Sequence, residues 1–472
     1  MQQNSTKTSD LAPARESFSS RIGFLFLSAG CAIGLGNVWR FPFITGRYGG
    51  AWFVLIYLFF LFLFGVPMVL AELACGRASQ RSIAQSFDVL EKPGTKWHHL
   101  KWFGIAGNYL LMMFYVPVTG WMLYYTYKAM RGDLMRIGGE GGPEPFRLFY
   151  ENMLGSVDTQ VVFTAIVIIG CFSVCAVGLV KGVEFITKYM MGALFLLLLV
   201  LAGHSMMLEG GKEGLEFYLL PNWRRLQEAG IGNAVYAAMG QAFFTLSIGI
   251  GSLAIFGSHL DRSRTLLGDA LHITLLDILV ALLAGLIIFP ACFAFHIEAG
   301  AGPGLIFLSL PNVFQSMSNG RFWGALFFLF LSFASLSTVL AVFENILSFA
   351  MDLFGWSRRK SVLVNLVLLL ILTLPCILGF SVWKGFQPFG EGSNVLDLED
   401  FLVSNTFLPL GSFFYLTFCT SRYGWGFRNF LAEVNAGTGR KVPAFIRQYM
   451  TFVLPVVLLI ILIGGWRARF FG

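Results

Sequence analysis

The chain has 472 residues, of which 56% are hydrophobic and only 12% charged. Soluble domains carry about 25% charged residues, so this composition excludes one large water-soluble core. The net charge of +7 comes from basic residues in short segments between apolar runs. That pattern orients a membrane protein and does not make a nucleic-acid surface. The seven cysteines (Cys31, Cys75, Cys171, Cys175, Cys292, Cys376, Cys419) lie in or beside apolar runs, with no CxxC pair and no His/Cys cluster. Neither a disulfide framework nor a zinc site is indicated. Residues 1–17 are polar and lack an apolar signal region, so no cleaved signal peptide is expected.

Apolar runs long enough to cross a bilayer as helices fall at 20–46, 50–76, 102–130, 159–179, 186–208, 232–257, 268–297, 321–354, 360–379, 397–420 and 445–466. An all-α membrane protein with eleven crossings is expected. Most basic residues then collect on the side of the N-terminus, including Arg77, Arg81, Arg262, Arg264, Arg358, Arg359 and Arg440. This places the N-terminus in the cytoplasm and the C-terminus outside. Residues 131–158 and 209–231 read as long outer loops. The apolar but Gly- and Pro-broken segment 298–320 reads as a re-entrant or capping loop.

Two spans are interrupted. The first carries SAGCAIGLGNVWRFP (28–42), where Gly30, Gly34, Gly36 and Pro42 weaken the helix and Asn37 and Arg40 are polar at membrane depth. The sixth carries GQAFFTLSIGIGS (240–252), with Gly240, Gly249, Gly251, Thr245 and Ser247. Unwound backbone in lipid leaves amides and carbonyls unpaired, at a cost of several kcal/mol each, unless something else satisfies them. Free carbonyls suit a cation, and helix N-termini suit a carboxylate. The bland alternative is that these glycines serve close helix packing. Two such stretches, five spans apart and each beside polar residues, favour a central binding site.

At these residues the sequence resembles the neurotransmitter:sodium symporter family, in particular its bacterial leucine and hydrophobic amino-acid transporters. The resemblance rests on GLGNVWRFP followed by GG, GVPMVLAELACGR, FYVPVTGW, GQAFFTLSIGIG and FASLSTVLA, in order along nearly the whole chain. It implies a 5+5 inverted repeat: a cytoplasmic segment at 1–19, repeats at 20–208 and 232–424 separated by an extracellular loop at 209–231, and an eleventh helix with the C-terminus at 425–472. It implies sodium-coupled symport of a neutral, hydrophobic L-amino acid by alternating access, in the plasma (cell inner) membrane.

The resemblance also implies residues. One sodium site is expected at Ala32, Asn37 and Thr245, completed by the substrate carboxylate. A second is expected at Gly30, Ile33, Ala334, Ser337 and Thr338. The substrate would meet the Leu35 and Gly36 amides and the Tyr115 hydroxyl through its carboxylate, and Phe244, Thr245 and Ser247 through its ammonium. Leu111, Tyr115, Phe244, Ile250, Thr338 and Val342 would line its side chain. Gly34, where monoamine-carrying relatives have an acid, leaves room for the carboxylate. Asp277, an acid in an apolar run, would supply a fixed negative charge at the first sodium, so chloride is not expected to be required. Glu72 would brace the sixth span. Arg40 with Asp400, and Arg15 with Asp352, would gate the two sides. The family commonly has Trp at Phe18, Tyr at His259, Pro at Gly192 and Gln at Glu344, so this chain departs from it there.

A binding-only sensor on the same fold is the alternative; it would be expected to carry an added signalling domain or a damaged ion site, and this sequence shows neither signal. An intramembrane enzyme is disfavoured, since the six histidines are scattered and no HExxH occurs.

Overall fold

The computed structural model describes residues 18–137, 144–297 and 305–470. Arg15 lies outside the described residues. Nine helices among them are long and apolar enough to cross a membrane, and a bent pair makes a tenth crossing. In chain order we call the bent pair α1 (Arg21–Ala32) and α2 (Gly36–Arg47), which meet at 56°. There follow α3 (Ala51–Ser79), α4 (Trp97–Arg131), α5 (Val157–Val177) and α6 (Leu179–Met206). Two shorter helices, α7 (Ile231–Thr245) and α8 (Ser252–Gly257), precede α9 (Leu266–Ala294). Next come α10 (Gly320–Phe354), α11 (Arg358–Leu378), α12 (Val395–Thr420) and α13 (Ile446–Phe470).

The helices are apolar on all sides, as lipid-embedded helices are. Their exposed faces repeat at helical spacing: Leu363, Val367 and Ile371 on α11, Leu196 and Leu199 on α6, and Val456, Ile460 and Ile463 on α13. Aliphatic stripes of this kind on several helices are a surface for lipid, not for water. Inward, α4 and α10 pack along each other and carry the core.

The stretches at 131–158 and 209–231 are not plain loops. They contain the helices Leu134–Ile137, Glu144–Gly155, Gly211–Leu219 and Trp223–Ala229. Each has a narrow apolar side that docks, with Phe146, Met153, Tyr218 and Leu226 buried. The described part of the segment at 298–320 is helical from Leu305 to Ser316. Its Phe307 ring packs against Trp39, Trp121, Tyr125 and Tyr150, so it closes one end of the bundle with aromatic rings.

Charged groups tie the opposite end. Arg77, at the end of α3 and 1% exposed, donates from Nε to Glu433 at 2.8 Å and from Nη1 to the Arg264 carbonyl at 2.7 Å. Arg262 contacts the other Glu433 oxygen at 2.9 Å. Glu184 on α6 accepts from the amides of Ser19 and Ser20 at 2.9 and 3.2 Å, and Arg21 pairs with Asp269 on α9 at 3.0 Å. These contacts anchor the start of α1 to α6 and α9.

Candidate functional site

The first break lies between α1 and α2. Ile33 leaves the helix with extended backbone (φ −70°, ψ 101°), and Gly34 follows without a side chain. The freed groups are satisfied by Asn37 of α2 and by side chains from three other helices. The Gly34 amide donates to Asn37 Oδ1 at 3.2 Å, and the Leu35 amide donates to the Tyr115 hydroxyl of α4 at 3.1 Å. Gln241 Nε2 of α7 donates to the Gly36 carbonyl at 2.9 Å. The Thr338 hydroxyl of α10 lies 3.1 Å from the Gly30 carbonyl and 3.2 Å from that of Ile33. The Ser337 hydroxyl lies 3.3 Å from the Ile33 carbonyl and 2.8 Å from that of Ala334. Three carbonyls and two hydroxyls thus converge between α1 and α10.

The second break, residues 246–251, separates α7 from α8. Gly249 (φ 104°) and Gly251 (φ 75°) adopt left-handed backbone, which glycine takes at no steric cost. Ser247 is also left-handed, at φ 50°. Glu72 of α3 accepts from two amides of this stretch, Gly249 at 2.5 Å and Gly251 at 3.2 Å, and from Leu253 at the start of α8 at 2.9 Å. Asn108 of α4 donates to the Ile250 carbonyl at 2.8 Å, and Asn345 of α10 donates to the Ser252 carbonyl at 3.3 Å. Buried polar backbone must find partners, and here side chains from α3, α4 and α10 supply them.

Asn37 and Thr245, one from each break, meet at Asp277 of α9. Asn37 Nδ2 donates to Asp277 Oδ1 at 2.8 Å, and the Thr245 hydroxyl donates to Oδ2 at 3.0 Å. Asn37, Asp277 and Thr245 are at most 1% exposed. Among the described residues no basic side chain lies within 4.0 Å of the Asp277 carboxylate. Ala32 is the last residue of α1 and is buried.

Gly34 faces a tight corner. A methyl built there would sit 2.2 Å from the Tyr115 hydroxyl and 2.7 Å from that of Thr338. Gly36 similarly fronts the Phe244 ring, at 2.9 Å, and the Thr245 Cα, at 3.6 Å. Leu111 and Val342 lie one turn from Tyr115 and Thr338 on α4 and α10, and both are buried. Ile250 is buried with its side chain against Gly107 of α4, one turn from Leu111.

Of the expected gate pairs, the outer one is arranged differently. Arg40 stacks over the Phe244 ring, 4.3 Å from its centroid, and makes no ion pair with Asp400 among the described residues. Asp400 instead accepts from the Ser404 hydroxyl at 2.7 Å, one turn along its own helix. Stacking on Phe244 keeps Arg40 directly above the two breaks. Asp352 accepts from the Ser82 amide at 2.8 Å. Gln241, Asn108 and Asn345 carry no sequence signal beyond a neutral amide inside an apolar run.

Apolar helices enclosing two facing helix breaks, lined by oxygen donors and two buried acids, define a multi-pass membrane protein with a central site for small polar or ionic species. The comparisons sharpen this. The model of the sodium:neurotransmitter symporter family matches residues 15–136 and 151–467. An uncharacterised sodium-dependent transporter of Bacillus subtilis is 31% identical over 95% of this chain and 97% of its own. Another from Haemophilus influenzae is 30% identical over 96% of this chain and 98% of its own. The crystal structure of MhsT in complex with L-phenylalanine superposes with a TM-score of 0.84 at 36% identity, covering 96% of this chain and all of that one. The chain belongs to the sodium:neurotransmitter symporter family. It is a sodium-dependent transporter by family and not an enzyme.

Proposed function

We propose that the chain carries a neutral, hydrophobic L-amino acid together with sodium by alternating access. The observation that carries this reading is the buried Asn37–Asp277–Thr245 cluster, which joins both helix breaks. A carboxylate in an apolar interior needs a counter-charge. The neighbouring ligands are neutral oxygens, hard donors that suit a hard cation. In this reading Ala32, Asn37, Thr245 and Asp277 hold one sodium ion, and Gly30, Ile33, Ala334, Ser337 and Thr338 hold a second.

The substrate carboxylate would lie beside Gly34, whose missing side chain lets the Tyr115 hydroxyl come close. There it takes the amides of Leu35 and Gly36 and the hydroxyl of Tyr115, at the start of α2. Its ammonium would meet the C-terminal end of α7 at Phe244, Thr245 and Ser247. This follows the general preference of anions for helix N-termini and cations for C-termini. Leu111, Ile250 and Val342 bring no charge, which favours a neutral side chain. That MhsT was crystallised with L-phenylalanine supports an amino acid as cargo.

Counting α1–α2 and α7–α8 as one broken span each gives eleven crossings, and the two breaks would open corresponding halves (20–208 and 232–424) of an inverted 5+5 repeat. Residues 1–19, 209–231 and 425–472 would be the cytoplasmic segment, the extracellular loop and the terminal helix. The N-terminus would face the cytoplasm in the cell membrane and the C-terminus the outside. Arg40 and Asp400 would gate the outside, with Phe244 and Tyr115 beneath them; Arg15 and Asp352 would gate the inside. Asp277 provides the fixed negative charge that a chloride ion would otherwise supply, so chloride is not required.

A ligand screen tests the cargo. Thermal stability of the purified chain, measured with each of the twenty amino acids, should rise for apolar ones in sodium and not in potassium. Sodium gluconate should serve as well as sodium chloride. Equal stabilisation in both cations, or a strict need for chloride, would remove the corresponding part of the proposal.

A further inference from the structure

At the Arg21 end of the bundle a cavity of about 600 Å³ opens between the start of α1, the start of α9 and the loop 438–440. Its wall includes Arg21, Arg264, His272 and Arg440, with Leu271 and Leu275 on the α9 side. We propose that this cavity binds the phosphate headgroup of an anionic phospholipid of the inner leaflet. The leaflet follows from the membrane orientation proposed above; the ligand chemistry does not depend on it.

Four observations support the assignment. First, no acid lines the cavity. Arg21 already pairs with Asp269, whereas neither Arg264 nor Arg440 lies within 4.0 Å of a carboxylate among the described residues. Second, these cations are held on a braced platform. The Thr438 amide donates to the Ser263 carbonyl at 2.9 Å, and the Thr265 amide donates to the Thr438 carbonyl at 3.2 Å. Buried Arg77 grips the Arg264 carbonyl from behind. Third, the cavity adjoins the beginning of a 29-residue helix whose first residue is preceded by Thr265 with no side-chain cap. Arg21 Nη2 comes within 3.9 Å of a methyl built on Gly268 in that first turn. Helix amides and guanidinium groups therefore face the same space, an arrangement that favours phosphate.

The fourth observation selects a lipid over a free anion. Leu271, Leu275 and Leu279 follow one another at four-residue spacing on α9, and Leu275 and Leu279 are 51% and 45% exposed. This apolar stripe runs from the basic cavity into the membrane-spanning part of α9. An acyl chain can lie along it while its phosphate sits among the arginines. Each basic residue near a membrane surface contributes about 1 kcal/mol of attraction to anionic lipid, so the cluster is strong enough to select among headgroups.

The test uses the full chain in mixed micelles and native mass spectrometry. Phosphatidylglycerol should be retained in preference to phosphatidylcholine, and excess inorganic phosphate should not displace it. The double variant R264Q/R440Q should lower phosphatidylglycerol affinity roughly thirtyfold. The pair R131A/R224A, on the opposite end, should leave it unchanged. If the double variant melts early, the single variants R264Q and R440Q should each give a partial loss. Equal retention of the two lipids, or retention unaffected in all three variants at Arg264 and Arg440, overturns the assignment. Displacement by inorganic phosphate without lipid preference overturns it too, in favour of a free-anion site.

Discussion

Alanine at Asn37 is expected to abolish sodium-dependent substrate binding while the fold survives. Asn37 joins three elements: it accepts from the Gly34 amide, and it donates to both the side chain and the backbone carbonyl of Asp277. Its loss leaves Asp277 with the Thr245 hydroxyl as its donor from the two breaks. Removing groups that orient a metal ligand costs about 10- to 100-fold in affinity, and loss of a proposed ligand should cost at least as much. Thr338→Ala acts at the other cluster, where the hydroxyl lies beside the Gly30 and Ile33 carbonyls. Sodium titrations of both variants, read by binding of labelled amino acid, check this. Titrations matching the unmodified chain would contradict the ion assignment. Melting in potassium should fall modestly for Asn37→Ala, which leaves the buried Gly34 amide and Asp277 short of partners, while both folds should survive on the bonds to Glu72, Tyr115 and Gln241.

Gly34→Ala is expected to eliminate amino-acid binding. Its methyl would fall 2.2 Å from the Tyr115 hydroxyl and 2.7 Å from that of Thr338. Both separations are far inside ordinary carbon–oxygen contact, so Tyr115 must move and lose the Leu35 amide. A displacement of about 1 Å at a site of defined geometry costs on the order of a hundredfold. Gly192→Ala on α6 is the matching control. Nothing lies within 4 Å of its added methyl, and alanine is the better helix former by about 1 kcal/mol. That variant should bind normally and melt no lower. Binding by Gly34→Ala within twofold of the unmodified chain would place the carboxylate elsewhere.

How far the sequence reaches is clearest at the two breaks. Glycine and polar residues inside an apolar run have few explanations, and both runs do unwind, at 33–35 and 246–251. Acids are equally conspicuous, which is why Glu72 and Asp277 stood out without coordinates. Gln241, Asn108 and Asn345 did not. A neutral amide in a helix can bond its own backbone, pack, or cross to a neighbour, and only the fold shows which carbonyl each one reaches. Arg77 and Glu433 are 356 residues apart, and no local pattern links them. The short helices at 144–155 and 211–219 lack apolar runs and gave only loop signals. Arg40 illustrates a further limit. The family resemblance implied a gate partner in Asp400, while the structure gives Arg40 the face of Phe244. Cation–π stacking of this kind contributes about 0.5–2 kcal/mol, enough to hold the guanidinium over the site without an ion pair.

The account's central claim is coupling of sodium to an amino acid through the Asn37–Asp277–Thr245 cluster. The most direct measurement is uptake of labelled phenylalanine or leucine into proteoliposomes under an inward sodium gradient, with Asp277→Asn alongside the unmodified chain. The account predicts concentrative uptake that collapses when potassium replaces sodium, persists in chloride-free buffer, and falls at least tenfold in sodium affinity for Asp277→Asn, the scale of a lost metal-site contact. Uptake that ignores the sodium gradient, or an Asp277→Asn protein with unchanged sodium dependence, would contradict it.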